Sequence, residues 1–501
     1  MQIERATLSM PGVSDDPTSG GVMSFATLQR RAFTILSGGV LTGVSGLLVL
    51  SAMLAMSQPA QAIPAFARKY GLPCSACHEA WPKLNNFGQV FKDNGYQLGN
   101  ERDTPITQPP TYWPMTVRLT PQWHWENTKR LEVDSIPGGG PGSVPIERSV
   151  STSGFDLSGF DLWTAGTLAK NISFLVLPSA DATGAFHFES AWVRFDNLLG
   201  SPWLNLKFGK HELDTPISEK RFLALTANGG FFQLYHFSPA PTSTNPFSGS
   251  PSSAVSSFGG IGNNQLGIEL MGHSRNSYTR YAFSVLSSNS GRVNLPTNRT
   301  YDYYVNVNQA FELPRLGLQR VGAYVYYGQS PTYSLTSAGA PILGTGRGNK
   351  PFWRAGVYGI WYAGKFDFST LYLRGMDNVF IGTGTPSFKP PLTPVPLPAG
   401  ARSPIWNGGF IETHYTATPQ LLFLGRYELI RVSRQALDTL PTDLGNIDAL
   451  TFGYRWYPFM HSRAGLAWHM EYSRVRSRKT APLSGLDQRT SSLLLGWDLD
   501  F

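Results

Sequence analysis

From residue 113 to the carboxyl terminus, apolar and polar side chains alternate along the chain. Met115, Val117, Leu119, Trp123 and Trp125 share one parity, and Thr116, Arg118, Thr120, Gln122 and His124 share the other. The pattern returns near the end. Leu450, Phe452, Tyr454 and Trp456 oppose Thr451, Gly453 and Arg455, and Leu493, Leu495, Trp497, Leu499 and Phe501 oppose Ser492, Gly496, Asp498 and Asp500. A period of two belongs to a strand with one apolar and one polar face. About sixteen such stretches can be placed, starting near residues 113, 157, 172, 185, 203, 264, 278, 300, 319, 351, 365, 405, 420, 447, 462 and 489.

The connections between these stretches alternate in length. Short turns fall at Ala169-Lys170-Asn171, Asn197-Leu198-Leu199-Gly200, Ala363-Gly364-Lys365 and Thr418-Pro419-Gln420, and most of the others are long: 126–156, 212–263, 329–350 and 376–404. Short turns on one side and long loops on the other are what a transmembrane barrel requires, and sixteen is an even count within its range. A soluble sandwich would also alternate, but three features favour the barrel. Aromatics gather at strand ends, the polar parity carries Arg, Glu, His and Asp as a wet lumen would, and the last strand ends on Phe501. The expected fold is all-β, a transmembrane antiparallel barrel of about 16 strands preceded by a short helical segment. The longest loop, 212–263, either folds inward as a constriction or lies outside.

Composition agrees. Only 15% of residues are charged and 13% are aromatic, with 52 Gly and 37 Pro. The net charge of +8 is spread along the chain, with no basic cluster interleaved with aromatics, so no nucleic-acid partner is expected. At the amino terminus, Arg30 and Arg31 precede an apolar run from about Ile35 to Met56 and an Ala60-Gln61-Ala62 site. This reads as a signal peptide with an extension over 1–62, and a retained anchor is the alternative. The expected organisation is then 1–62 leader, 63–112 a small segment with a Pro-rich connector, and 113–501 the barrel.

The candidate chemistry lies in that small segment. Cys74-Ser75-Ala76-Cys77-His78 is a Cys-x-x-Cys-His motif, the attachment site of a c-type haem, and it holds both cysteines of the chain. Cys74 and Cys77 would form thioethers to the vinyl groups, and His78 would be an axial ligand of the iron. A redox dithiol would call for a surrounding βαβ pattern, and a structural zinc would call for two further ligands. Phe66 and Tyr70 suit one face of a helical turn ending at Gly71, and Leu84, Phe87 and Phe91 recur at helical spacing before an Asn94-Gly95 stop. Fewer than ~40 residues cannot enclose a haem alone, so the barrel is expected to complete the site.

Phe66-Ala67-Arg68, the Cys74–His78 motif, Leu84-Asn85-Asn86-Phe87-Gly88, Phe91-Lys92 and Asn94-Gly95-Tyr96 together resemble the fused outer-membrane cytochrome–porins, which include the iron oxidases of iron-oxidising bacteria. The resemblance is specific over this segment and covers the barrel in architecture alone. It implies one covalent haem c held by Cys74, Cys77 and His78 in the bacterial outer membrane. It also implies an extracellular electron donor such as Fe(II), and a periplasmic cytochrome or other electron carrier as partner. Such a chain would be an electron-transfer protein, and the resemblance implies an Fe(II):cytochrome oxidoreductase. The alternative is a diffusion porin whose haem segment is a plug or sensor.

The second axial ligand is not fixed by any motif. Met115 falls on the apolar parity. His124, His187 and His211 lie near the long-loop ends of their strands, leaving His414, Met271 and His469 as inward candidates, or a five-coordinate iron. Inward Glu189, Glu269, Glu412, Glu428 and Glu471 are oxygen donors suited to Fe(II). The competing reading pairs them with Arg118, Arg426 and Arg455 as lumen ion pairs. No nucleophile–base pair, phosphate loop or carboxylate dyad appears.

Overall fold

The computed structural model describes residues 65–80, 83–98, 115–135, 145–180, 184–218, 234, 264–287, 301–331, 349–376, 403–434, 446–460, 465–478 and 488–500. The expected leader 1–62, the connector 101–112, most of the loop 212–263 and Phe501 lie outside these residues. The small segment and the barrel belong to one compact unit, Ala60–Phe501.

The segment opens with helix α1 (Ala65–Tyr70), ended by Gly71 at φ +64°, a left-handed position that glycine adopts without strain. A one-turn 3-10 helix over Cys74–Ala76 leads into a small hairpin of β1 (His78–Ala80) and β2 (Lys83–Leu84). Helix α2 (Asn86–Asp93) follows. Its start is later than apolar spacing predicts, because Asn85 caps it by accepting a hydrogen bond from the Gly88 N–H at 2.9 Å, which leaves Leu84 in the hairpin.

Sixteen strands then close into one antiparallel barrel. They are β3 (Met115–Ser135), β4 (Pro145–Ala169), β5 (Ile172–Ala180), β6 (Phe186–Phe195), β7 (Asn205–His211), β8 (Gln265–His273), β9 (Thr279–Ser287), β10 (Tyr301–Leu313), β11 (Gly317–Pro331) and β12 (Asn349–Ala363). They continue as β13 (Phe366–Met376), β14 (Ile405–Thr418), β15 (Leu421–Arg434), β16 (Asn446–Met460), β17 (Gly465–Arg478) and β18 (Gln488–Asp500). The circle is shut by β18 pairing with β3, with Asp500 opposite Arg118 and Leu493 opposite Trp125. One predicted loop is different: within 126–156, β3 and β4 run on as a paired ribbon, with Thr128 opposite Val150 and Ser135 opposite Pro145. A Pro- and Gly-rich run, 136–144, lies between its two arms and reads as loop in the sequence.

The barrel is apolar outside and polar inside. On β16, Phe452 is 54% exposed while its neighbour Thr451 is 0% exposed. Val307, Val357 and Ile411 are exposed, while Glu269, Glu412, His414 and Glu471 are buried. A closed sheet with this inverted distribution is a transmembrane barrel. No described helix is long and apolar enough to cross a membrane. The lumen is filled from two directions. Leu213, Ile217 and Leu234, all from the 212–263 stretch, pack inside against Tyr304, Tyr324, Trp406 and Ile430. The segment 65–98 occupies the end of the lumen that carries the short turns.

Candidate functional site

Local sequence fixes the shape of the Cys74–His78 turn. The Asn85 side chain donates to the Ala76 carbonyl at 3.0 Å, and the Asn85 N–H donates to the Cys77 carbonyl at 2.9 Å. The first turn of α2 thus lies directly on the motif. Aromatic rings extend the contact to the barrel wall. Phe66 meets Phe91 edge-on at 5.0 Å, stacks on Tyr96 at 4.9 Å and meets Trp163 of β4 at 5.6 Å, and Tyr96 stacks on Trp192 of β6 at 6.2 Å. These rings repack the helical positions read from the sequence into a wall shared by segment and barrel.

Between them lies a cavity of about 300 Å3 into which Cys74, Cys77 and His78 face. Its apolar side is formed by Phe66, Leu72, Leu84, Phe91, Leu98 and Trp163. Arg118, Asp161 and Asp500 form one polar end, and Glu189, Ser190, Glu212 and Asn264 form another. Arg118 holds Asp500 at 3.1 Å and Asp161 at 3.6 Å. The two cysteines are not joined to each other. Burial pushes the Cys74 thiol up to about 12 and the Cys77 thiol up to about 11, so neither is a thiolate at neutral pH.

The segment is tied down by buried charges that sequence reasoning did not single out. Arg280 on β9 donates to both oxygens of Asp93, at 2.8 Å each, and also to Asp214 of the inward stretch at 2.8 Å. Arg194 on β6 donates to the carbonyls of Lys92 at 3.1 Å and Asp93 at 3.3 Å. Lys83 meets Asp367 of β13 at 2.5 Å, and Tyr362 of β12 donates to Glu79. Each charge reads in sequence as an ordinary solvated residue. Only their convergence in space sets them apart.

The three candidates for a second axial ligand are engaged elsewhere, and none lines the cavity. His414 has Nδ1 2.8 Å from Asp367 and Nε2 2.7 Å from Glu412, so both nitrogens are committed. The Met271 sulfur lies 3.8 Å from an Arg194 nitrogen. His469 has Nδ1 3.2 Å from Asp498, and its ring lies over Gly496. The inward carboxylates mostly form ion pairs: Glu412 with Arg426 at 2.8 Å, Glu471 with Arg426 at 3.8 Å, and Glu269 with Lys207. Glu189 accepts a hydrogen bond from the Ser179 hydroxyl at 3.0 Å. Among the described residues, no group of three or more His, Cys, Asp or Glu side chains is arranged to hold a metal ion.

Solved outer-membrane barrels of low similarity to this chain are found. The chain is similar to the outer-membrane channel DcaP of Acinetobacter baumannii, with 10% identity, 77% of this chain and 97% of that one covered, and a TM-score of 0.46. It is similar to the anion-selective porin of Comamonas acidovorans, with 10% identity, 77% and 99% coverage and a TM-score of 0.43. OprB of Pseudomonas putida gives 10% identity, 77% and 94% coverage and a TM-score of 0.43. At these identities the likeness is one of fold alone. No protein-family model matches the sequence, and no curated protein matches it.

Proposed function

We propose that this chain is an outer-membrane, porin-like barrel whose lumen is occupied by a segment carrying one covalent c-type haem. Its function is then one-electron transfer between an extracellular donor, Fe(II) being the leading candidate, and a periplasmic carrier. The observation that carries this reading is the cavity on which Cys74, Cys77 and His78 converge, completed by Trp163 of the barrel wall. At about 300 Å3 it sits at the lower end of the ~300–1,000 Å3 typical of cofactor pockets. The residues present fit the group: two thiols three positions apart, an adjacent imidazole and a largely aromatic surround. When bound, a c-type haem supplies a single-electron couple whose potential is set by its ligands and its burial. Cys74 and Cys77 would tether it, His78 would bind the iron, and Phe66, Phe91 and Trp163 would keep water from it. Arg118 and Lys92 are the cations on the cavity wall.

A closed barrel with a polar interior is by itself the architecture of a diffusion channel. It favours the second reading, a porin whose segment 65–98 is a plug or sensor, more directly than it favours electron transfer. Two measurements separate them. The purified protein should retain haem stain after denaturing electrophoresis. In proteoliposomes, external Fe(II) should then convert its absorption bands to the reduced form. Absence of covalent haem, together with steady ion conductance in a planar bilayer, would establish the channel reading instead. Covalent haem reducible by dithionite but not by Fe(II) would exclude Fe(II) as the donor.

A further inference from the structure

Glu189 of β6, Glu212 just past β7 and Asn264 just before β8 all line the Cys74–His78 cavity. The register explains their meeting. Ala191 pairs with Lys210 between β6 and β7, and His211 pairs with Gln265 between β7 and β8. Continued past the end of β7, these pairings bring Glu189, Glu212 and Asn264 to one level. The Asn264 side chain bridges the gap that β7 leaves, donating from Nδ2 to the Glu189 carbonyl at 2.6 Å and to the Ser190 hydroxyl at 2.8 Å. A carbonyl only accepts, so these bonds fix which end of the amide is nitrogen. The oxygen faces the other way. Asn264 is 6% exposed, and its Oδ1 is buried without a hydrogen-bond partner.

A buried amide oxygen left unmatched is costly unless something fills its lone pairs. Serine hydroxyls orient the two carboxylates beside it, Ser179 donating to Glu189 and Ser218 to Glu212. Oxygen donors of this kind, two charged and one neutral with their outer contacts in place, are the ligand set of a hard divalent cation. A thiolate- or imidazole-preferring ion would find no match among them.

We propose that Glu189, Glu212 and Asn264 form a binding site for a hard divalent metal cation on the wall of the cavity that Cys74, Cys77 and His78 also line. The site itself stands on the barrel's own residues. That it feeds or tunes a redox centre rests on the reading given under Proposed function. Such a cation would reach the cavity from the side of the inward stretch 212–218.

Mn(II) is the probe, read by loss of the free-ion electron paramagnetic resonance signal on titration into the purified full chain in detergent. One ion per chain is expected. Glu189→Gln with Glu212→Gln should weaken binding at least tenfold, and Asn264→Leu should weaken it too. Heat-modifiable migration on electrophoresis confirms that each variant barrel is closed. Equal titrations for the parent and either variant would overturn the site. Cys74→Ser with Cys77→Ser removes the haem motif, and Mn(II) binding should persist there. Loss of binding in that variant, with the barrel closed, would count against a site built from barrel residues. Binding intact in a parent chain that carries no covalent haem would sink the haem reading and leave the cation site standing.

Discussion

Gly88 lies directly on the backbone of Cys77. A Cβ at Gly88 would stand 2.1 Å from the Cys77 carbonyl oxygen and 2.9 Å from its carbon, both backbone atoms with little room to yield. The second helix of the segment can therefore cover the Cys-x-x-Cys-His turn only because residue 88 has no side chain. Gly88→Ala is expected to lift α2 from the turn and reduce the yield of covalently stained protein severalfold, with the barrel still closed. Haem stain per barrel, normalised by immunoblot, measures it; an unchanged ratio would show that the contact is dispensable.

Asp93 and Arg280 make the buried anchor between segment and wall. Removing one partner of such a pair costs roughly 3–5 kcal/mol because the other charge is left stranded. Arg280→Met should free Asp93 and Asp214 together, since both bond to the same guanidinium. The expected result is new protease cleavage within 65–98 and a rise in ion conductance through the barrel. A double variant, Arg280→Met with Asp93→Asn, should recover part of the loss.

Docking of the segment should have an acid limit and an alkaline limit. Burial alone would raise the Asp93 pKa, but the Arg280 guanidinium outweighs it and holds the carboxyl below its ordinary 3.8. A depressed folded value means that Asp93 contributes fully above 3.8 and loses its contribution as pH falls through the folded value. For Lys83, burial alone would lower the pKa, but Glu79, Tyr362 and Asp367 together hold it well above 10.5. Its contribution is full below 10.5 and is lost as pH rises through that higher folded value. Protease protection of residues 65–98 after brief pH jumps should stay flat between these limits and fall first on the acid side. Protection that changed between pH 6 and pH 8 would contradict both assignments.

His414 is held between Asp367 and Glu412, and the structure gives it a structural role. His414→Gln is expected to lower barrel stability by about 3 kcal/mol, as for a broken buried pair, and to leave the absorption and resonance spectra of attached haem unchanged. A switch to a high-spin spectrum in this variant would make it the axial ligand after all.

The barrel was legible because a wall with lipid on one side and a polar lumen on the other writes itself as alternation along every strand. Met115, Phe452 and Trp456 face outward and Thr116, Thr451 and Arg455 inward, as their parity requires. The ribbon of β3 and β4 beyond Thr128 reads as loop in the sequence because a Pro- and Gly-rich run, 136–144, separates its two arms. Cys74, Cys77 and His78 were legible as a local motif, and the structure adds the cavity they face. The anchors Asp93, Lys83, Arg194 and Arg280 were not legible, since each gains its meaning from a partner distant in sequence: Asp93 and Arg280 are 187 positions apart. Asn264 was hidden for a different reason. An amide reads as a loop residue until one sees which of its two ends is left without a partner.

The join between the first and last strands also fixes an order of events. Because β18 is the strand that meets β3, the wall becomes a ring only after the last residues of the chain have arrived. With the segment docked inside that ring, Cys74 is 5% exposed. Any covalent chemistry at its sulfur therefore belongs to the time before the segment is docked, and the cargo has to be finished before it is stowed.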